Sequence, residues 1–266
     1  MYVMTIDQRG SSTDVDRVPD LLAELAALCP EVRFERSVGD EVQGVLEQPG
    51  HVVEIALHAL RSGRWYVGIG VGPVDLPLPE SPREGSGPAF VAARAAVERA
   101  KSASSHIPLA VVSGGRRRGN AAGRAEEPPG APESANAEAV LRLIGRLVQD
   151  RTAAQWKVVD VLRGIRQDHA GAHGTQKIAA GQLGITEQSV SRALLRSGWT
   201  EEWAARPAAE MLLALAHGLT AGTDNAVRQN PARQNPARQN PARQNPVRQN
   251  PVRQNPARQA PTEGDR

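Results

Sequence analysis

Two small groups of residues in this 266-residue chain have the types and spacing to do chemistry. The first is Glu187, Gln188, Ser191 and Arg192, introduced by Thr186. Steps of one, three and four residues place these side chains on one face of a helix. They are polar types that can reach base edges or phosphates: a Gln amide pairs with adenine, and a Glu can accept from cytosine. The second group is Asp7 and Asp40. Asp7 ends an apolar run and precedes Gln8-Arg9-Gly10-Ser11-Ser12, while Asp40 lies in the turn Gly39-Asp40-Glu41. Two carboxylates beside a Gly-Ser loop could hold Mg²⁺ against nucleotide phosphates. Each group also has a plainer reading. The first would suit a helical hairpin that only packs, and the second a hairpin turn and a cap.

The elements that must position the first group lie between Thr175 and Gly198. Two short helical patterns flank Gly184-Ile185-Thr186. Gly184 can take the left-handed conformation that ends the first helix, and Thr186 can cap the second. Ala179, Leu183, Ile185, Val190 and Ala193 fall where two crossing helices would bury them, and Ala180 is small where they approach most closely. These positions resemble the DNA-binding helix-turn-helix of MarR-like and sigma-like proteins, which implies a recognition helix in the major groove. One such helix reads few base pairs, so a homodimer is expected.

The elements around the second group alternate. A strand from Tyr2 to Ile6 precedes an amphipathic helix from Pro19 to Leu28. Val32 to Val38 and Glu41 to Leu46 read as a hairpin, and Val52 to Leu60 as a helix. A strand from Trp65 to Val71, a Pro-rich loop, a helix from Pro88 to Lys101 and a strand from Leu109 to Val112 follow. The order βαββαβαβ predicts a ferredoxin-like (palm) α+β domain over residues 1–113, with helices on one face of the sheet. Asp7 and Asp40 would meet at one sheet edge. Gly68, Gly70 and Gly72 lack dinucleotide-fingerprint spacing and mark a strand that another backbone or a ligand approaches closely.

A resemblance is carried by Asp7, by Val38-Gly39-Asp40-Glu41, by Gly68-Ile69-Gly70-Val71-Gly72-Pro73 and by Ala92-Ala93-Arg94. On these motifs residues 2–113 resemble the palm domain of class III nucleotide cyclases and, more loosely, GGDEF domains. The segment is also similar to the SatD family of small bacterial proteins, which carry a like hairpin. The cyclase resemblance implies metal binding by Asp7 and Asp40 and nucleotide binding by Arg94. Cyclases place an Asn four residues before that Arg, where this chain has Phe90. That departure argues against turnover more than against ligand binding.

Composition bounds the rest. Cys29 stands alone, which excludes a disulfide framework and a thiolate zinc site. No signal pattern and no apolar run of membrane-spanning length is evident, so the cytoplasm is the expected location and no membrane partner is expected. From Ala226 onward eight Arg stand against two acids; with +3 in all, residues 1 to 225 carry −3. The basic character thus belongs to a tail. Residues 114–136 read as a flexible linker containing Arg116-Arg117-Arg118, and 137–220 as an all-helical domain. Thr152 and Gln155 form a capping box there, and Pro207 to His217 reads as a helix with Met211, Leu212 and Leu215 inward. His169 and His173 have ligand-like spacing but no helix to hold them, so they read as loop residues. Residues 221–266 read as a disordered tail in which RQNP recurs six times, because Pro at every fifth position forbids helix and central strand.

The sequence therefore points to a DNA-binding transcriptional regulator with an N-terminal palm-like sensor or regulatory domain, not an enzyme by preference, with a nucleotide as a candidate effector. The rival is a nucleotidyl cyclase-like or phosphotransfer enzyme, using Mg²⁺, that a DNA-binding module only localises.

Overall fold

The computed structural model describes residues 1–102, 106–115, 127–168 and 174–229. His169, His173, Arg116-Arg117-Arg118 and the RQNP repeats from Asn230 onward lie outside the described residues. The fold is α+β. Five strands, β1 (Tyr2–Gln8), β2 (Phe34–Arg36), β3 (Glu41–Leu46), β4 (Trp65–Val71) and β5 (Leu109–Ser113), form one sheet in the order β2-β3-β1-β4-β5. β1 runs antiparallel to β3 and β4, and β5 pairs parallel with β4. Helices α1 (Val18–Leu28), α2 (Pro49–Arg61) and α3 (Pro88–Ser102) connect them, and a short 3₁₀ turn, Pro82–Glu84, precedes α3.

The helices do not share one face, contrary to the sequence expectation. Every residue of β1 is buried, which requires cover on both sides. Tyr2, Met4 and Ile6 join Val67, Ile69 and Val71 in the larger core, under α1 and α2. Val3 faces the other way and packs with Ala89, Phe90 and Ala93 of α3. The glycines of β4 explain how close α3 comes. A Cβ on Gly68 would stand 2.4 Å from the Val97 nitrogen, and one on Gly70 2.1 Å from the Ala89 carbonyl oxygen. The approaching partner anticipated at these glycines is thus the α3 backbone, and Ala-rich α3 keeps the contact narrow.

Five further helices follow: α4 (Ala131–Gln149), α5 (Ala153–Asp168), α6 (Thr175–Leu183), α7 (Glu187–Ser197) and α8 (Trp199–Gln229). α4 begins six residues before the expected boundary at 137, with Pro in its first turn. Ala137, Leu141, Ile144 and Val148 of α4 and Ala209, Leu213 and Ala216 of α8 are buried in the same core as Tyr2, Met4 and Ile69. These two helices therefore finish the sheet's core instead of belonging to a separate one. Met211 and Leu215, expected inward, are exposed. α8 turns Ala209, Leu213 and Ala216 to the core, where the two alanines allow close approach, and leaves Met211 and Leu215 on its outer side. α8 also runs through Pro207 and past residue 221 to Gln229, the last described residue. A second, smaller core joins α5, α6, α7 and Trp199.

Candidate functional site

α6 and α7 form a pair of short helices around a tight turn. Gly184 has φ +65°. The Ile185 amide donates to the Ala180 carbonyl at 3.1 Å and the Gly184 amide to Gly181 at 3.4 Å, the bonds of a Schellman turn. The Thr186 hydroxyl accepts from the Ser189 amide at 3.2 Å and so caps α7. Val190 is fully buried with Ala179, Ala180 and the α5 residues Val158, Val159, Leu162 and Ile165.

With Val190 inward, Glu187, Gln188, Ser191 and Arg192 stand exposed together on α7. Among the described residues none of the four makes a hydrogen bond or ion pair to the rest of the protein. Thr186, grouped with them from sequence, spends its hydroxyl on the cap. Ile185 corrects an expectation: it is 41% exposed, not buried. The residue at this place in a Schellman turn commonly packs back on the helix it leaves, and the position it would cover is here Ala180, which offers little apolar surface. Leu195, 78% exposed, and Arg196 extend the α7 face. The three- and four-residue steps from Ser191 and Arg192 were the signal that could have found them.

The far end of α7 is anchored by buried charge. Arg151 donates from Nε to the Ser197 carbonyl at 2.8 Å and pairs with Glu202 at 2.5 Å. Glu202 also holds Arg206 at 2.6 Å; Arg206 and Arg163 both bind Glu54 of α2. Burial would raise the Glu54 carboxyl, but Arg206 and Arg163 outweigh it and hold the group below its ordinary value. Arg61 of α2 makes a two-pronged pair with Asp160 of α5 at 2.7 and 2.8 Å. The helix pair is thereby fastened to α2 by guanidinium–carboxylate geometry that resists rotation.

Asp7 lies opposite Glu41 in the β1–β3 ladder, on the α3 face at the end of β1. Its carboxylate receives Lys101 of α3 at 2.8 Å; Lys101 also reaches Glu98 at 3.1 Å. Burial raises the Asp7 pKa; Lys101 opposes the rise, and Asp40 and Glu98 add to it. The Lys101 ammonium is raised as well: burial would lower it, but Asp7 and Glu98 prevail. The two directions agree once depth is considered, because the Asp7 side chain is 11% exposed and that of Lys101 31%. The carboxylate thus carries most of the desolvation. Glu41 is raised by burial and by Asp7, against Arg94, Ser37 and Lys101. The end of the central strand β1 therefore gathers Asp7, Asp40 and Glu41. Lys101 already pairs with one Asp7 carboxylate oxygen, and no group of three His, Cys, Asp or Glu is placed for a metal among the described residues. Sequence reasoning missed Lys101, although Arg94, Glu98 and Lys101 share one face of α3 by spacing.

Arg94 lines a cavity of about 500 Å³ between β3, the loop at Pro82–Glu84 and α3, together with Arg83, Gln43 and Glu98. Among the described residues no helix is long and apolar enough to cross a membrane. Comparison with protein-family models, with curated proteins and with solved structures finds no match to this chain.

Proposed function

We propose that the chain is a DNA-binding transcriptional regulator in which α6 and α7 act as a helix-turn-helix. The observation that carries this reading is the α7 face: four polar side chains, exposed and uncommitted, on a helix whose opposite side is locked by Val190. In the proposed mechanism α7 enters the major groove. Gln188 and Ser191 read base edges, Arg192 contacts a base or phosphate, and Glu187 accepts from cytosine or favours the helix start. Two copies of the chain would supply the two half-sites. The strand order, with β1 between β3 and β4 and antiparallel to both, supports a palm-like, ferredoxin-like sensor body. Fragments of the source genome captured by the full-length protein and sequenced should share a motif, and Arg192→Ala should capture fewer of them. Capture indistinguishable from random genomic DNA would refute the reading.

The rival reading, a nucleotidyl cyclase-like enzyme, draws on Asp7, Asp40 and Arg94. It needs Mg²⁺ between the two aspartates, where Lys101 already pairs with Asp7. Any shift in melting temperature that a nucleoside triphosphate causes should need neither magnesium nor Asp40. A rise that Asp40→Asn abolishes would restore the rival.

A further inference from the structure

The cavity beneath the Pro82–Glu84 loop holds features that packing does not explain. Gln43 is only 6% exposed and lines the cavity, yet its carboxamide makes no hydrogen bond among the described residues. Its cross-strand neighbour Thr5 has a buried hydroxyl that also lacks a partner. Buried polar groups are nearly always paired. Of the two, Gln43 lines the cavity and presents an uncommitted carboxamide to it, a wall kept polar for something that is not part of the chain.

The charges around the cavity indicate what that is. Arg83 and Arg94 both line it, and neither forms an ion pair or hydrogen bond among the described residues. Arg94 acts on Glu41 only at longer range. Glu98, also on the wall, is held by Lys101 at 3.1 Å. Two planar guanidiniums facing one space match an oxyanion with several acceptor oxygens. The 15-residue helix α3 starts at Pro88 beside the same space, so its positive end adds to the field. A volume of about 500 Å³ takes a small organic molecule, more than a bare ion needs.

We propose that this cavity binds a small organic phosphate, with the phosphoryl group between Arg83 and Arg94 and a polar body against Gln43. The site stands apart from DNA binding and does not depend on it. It also uses neither Asp7 nor Asp40.

The test is calorimetry and thermal melting of the full-length protein with AMP, adenosine and inorganic phosphate as probes. AMP should bind and raise the melting temperature; adenosine should not, and inorganic phosphate should compete with AMP. Arg83→Ala and Arg94→Ala should each weaken AMP at least tenfold while leaving the unliganded melting temperature unchanged, since both side chains are exposed. Gln43→Leu should raise the unliganded melting temperature by removing the unpaired carboxamide, weaken AMP, and leave inorganic phosphate binding as it was. No binding of either AMP or phosphate, or equal binding by the arginine variants, overturns the proposal. Arginine-dependent phosphate binding with AMP no tighter than phosphate overturns the part assigned to Gln43.

Discussion

On α7, Gln188 and Val190 are two residues apart and meet opposite surroundings. Val190 is enclosed by α5 and α6, and Gln188 is open to solvent. Val190→Asp would place a carboxylate in an apolar core with no partner. We expect a loss of roughly 3 kcal/mol or more, seen as a lower melting temperature together with loss of DNA binding. At the end of β1 the Asp7–Lys101 pair is asymmetric, because the fold disfavours the Asp7 charge and favours that of Lys101. Lys101→Met should therefore destabilise at neutral pH by about 1–3 kcal/mol, leaving a buried carboxylate unpaired. Asp7→Asn should cost less, since Lys101 keeps Glu98 and a disfavoured charge is removed. A larger loss for Asp7→Asn in urea unfolding would contradict this. The Gly184 turn and the Thr186 cap were legible in the sequence because each depends on neighbours within four or five residues, and Val190 because it is the apolar residue of an otherwise polar first turn and a half of α7. Lys101 and Arg83 were not, since their surroundings are set by segments distant along the chain.

Among the elements, α3 and the α5–α8 charge network lend themselves most directly to test. Gly70→Ala should force α3 off the sheet, because the added carbon would lie 2.1 Å from the Ala89 carbonyl. Overpacking of this kind costs about 1–3 kcal/mol, and melting of the variant measures it. The network adds a pH dependence. Glu54 has a lowered pKa, so its stabilisation is complete above the ordinary Glu value of about 4.3 and is lost as pH falls through the depressed folded value. Glu54→Gln should flatten the acid side of a plot of melting temperature against pH; an unchanged slope would show that the pairs contribute nothing. The order of strands and helices through β5 was readable from alternation, apolar spacing and turn residues. That α3 covers the opposite face was not, since periodicity shows that a helix has an apolar side but not which side of a sheet it meets. The fully buried β1 and the glycines of β4 were the available signs.

At the scale of the molecule, α4 and α8 tie the candidate DNA-binding helices to the sheet through a shared core. Their apolar faces were visible in the sequence, but a linker in front of them suggested an independent domain. Truncation after Gly198 should consequently unfold the sheet body, because Ala209, Leu213 and Ala216 leave its core. Deletion of residues 230–266 should instead weaken non-specific DNA binding and flatten its salt dependence, with the preferred site unchanged, because the regularly spaced Arg residues meet phosphates of any sequence. The central claim is that α7 reads bases. A binding selection on random duplexes, with wild-type full-length protein beside Gln188→Ala, tests it most directly. Wild type should enrich one motif, and Gln188→Ala should lose preference at a single base pair of each half-site, worth about 1–3 kcal/mol. Failure of the wild type to enrich any motif, or the same motif from both proteins, would contradict it.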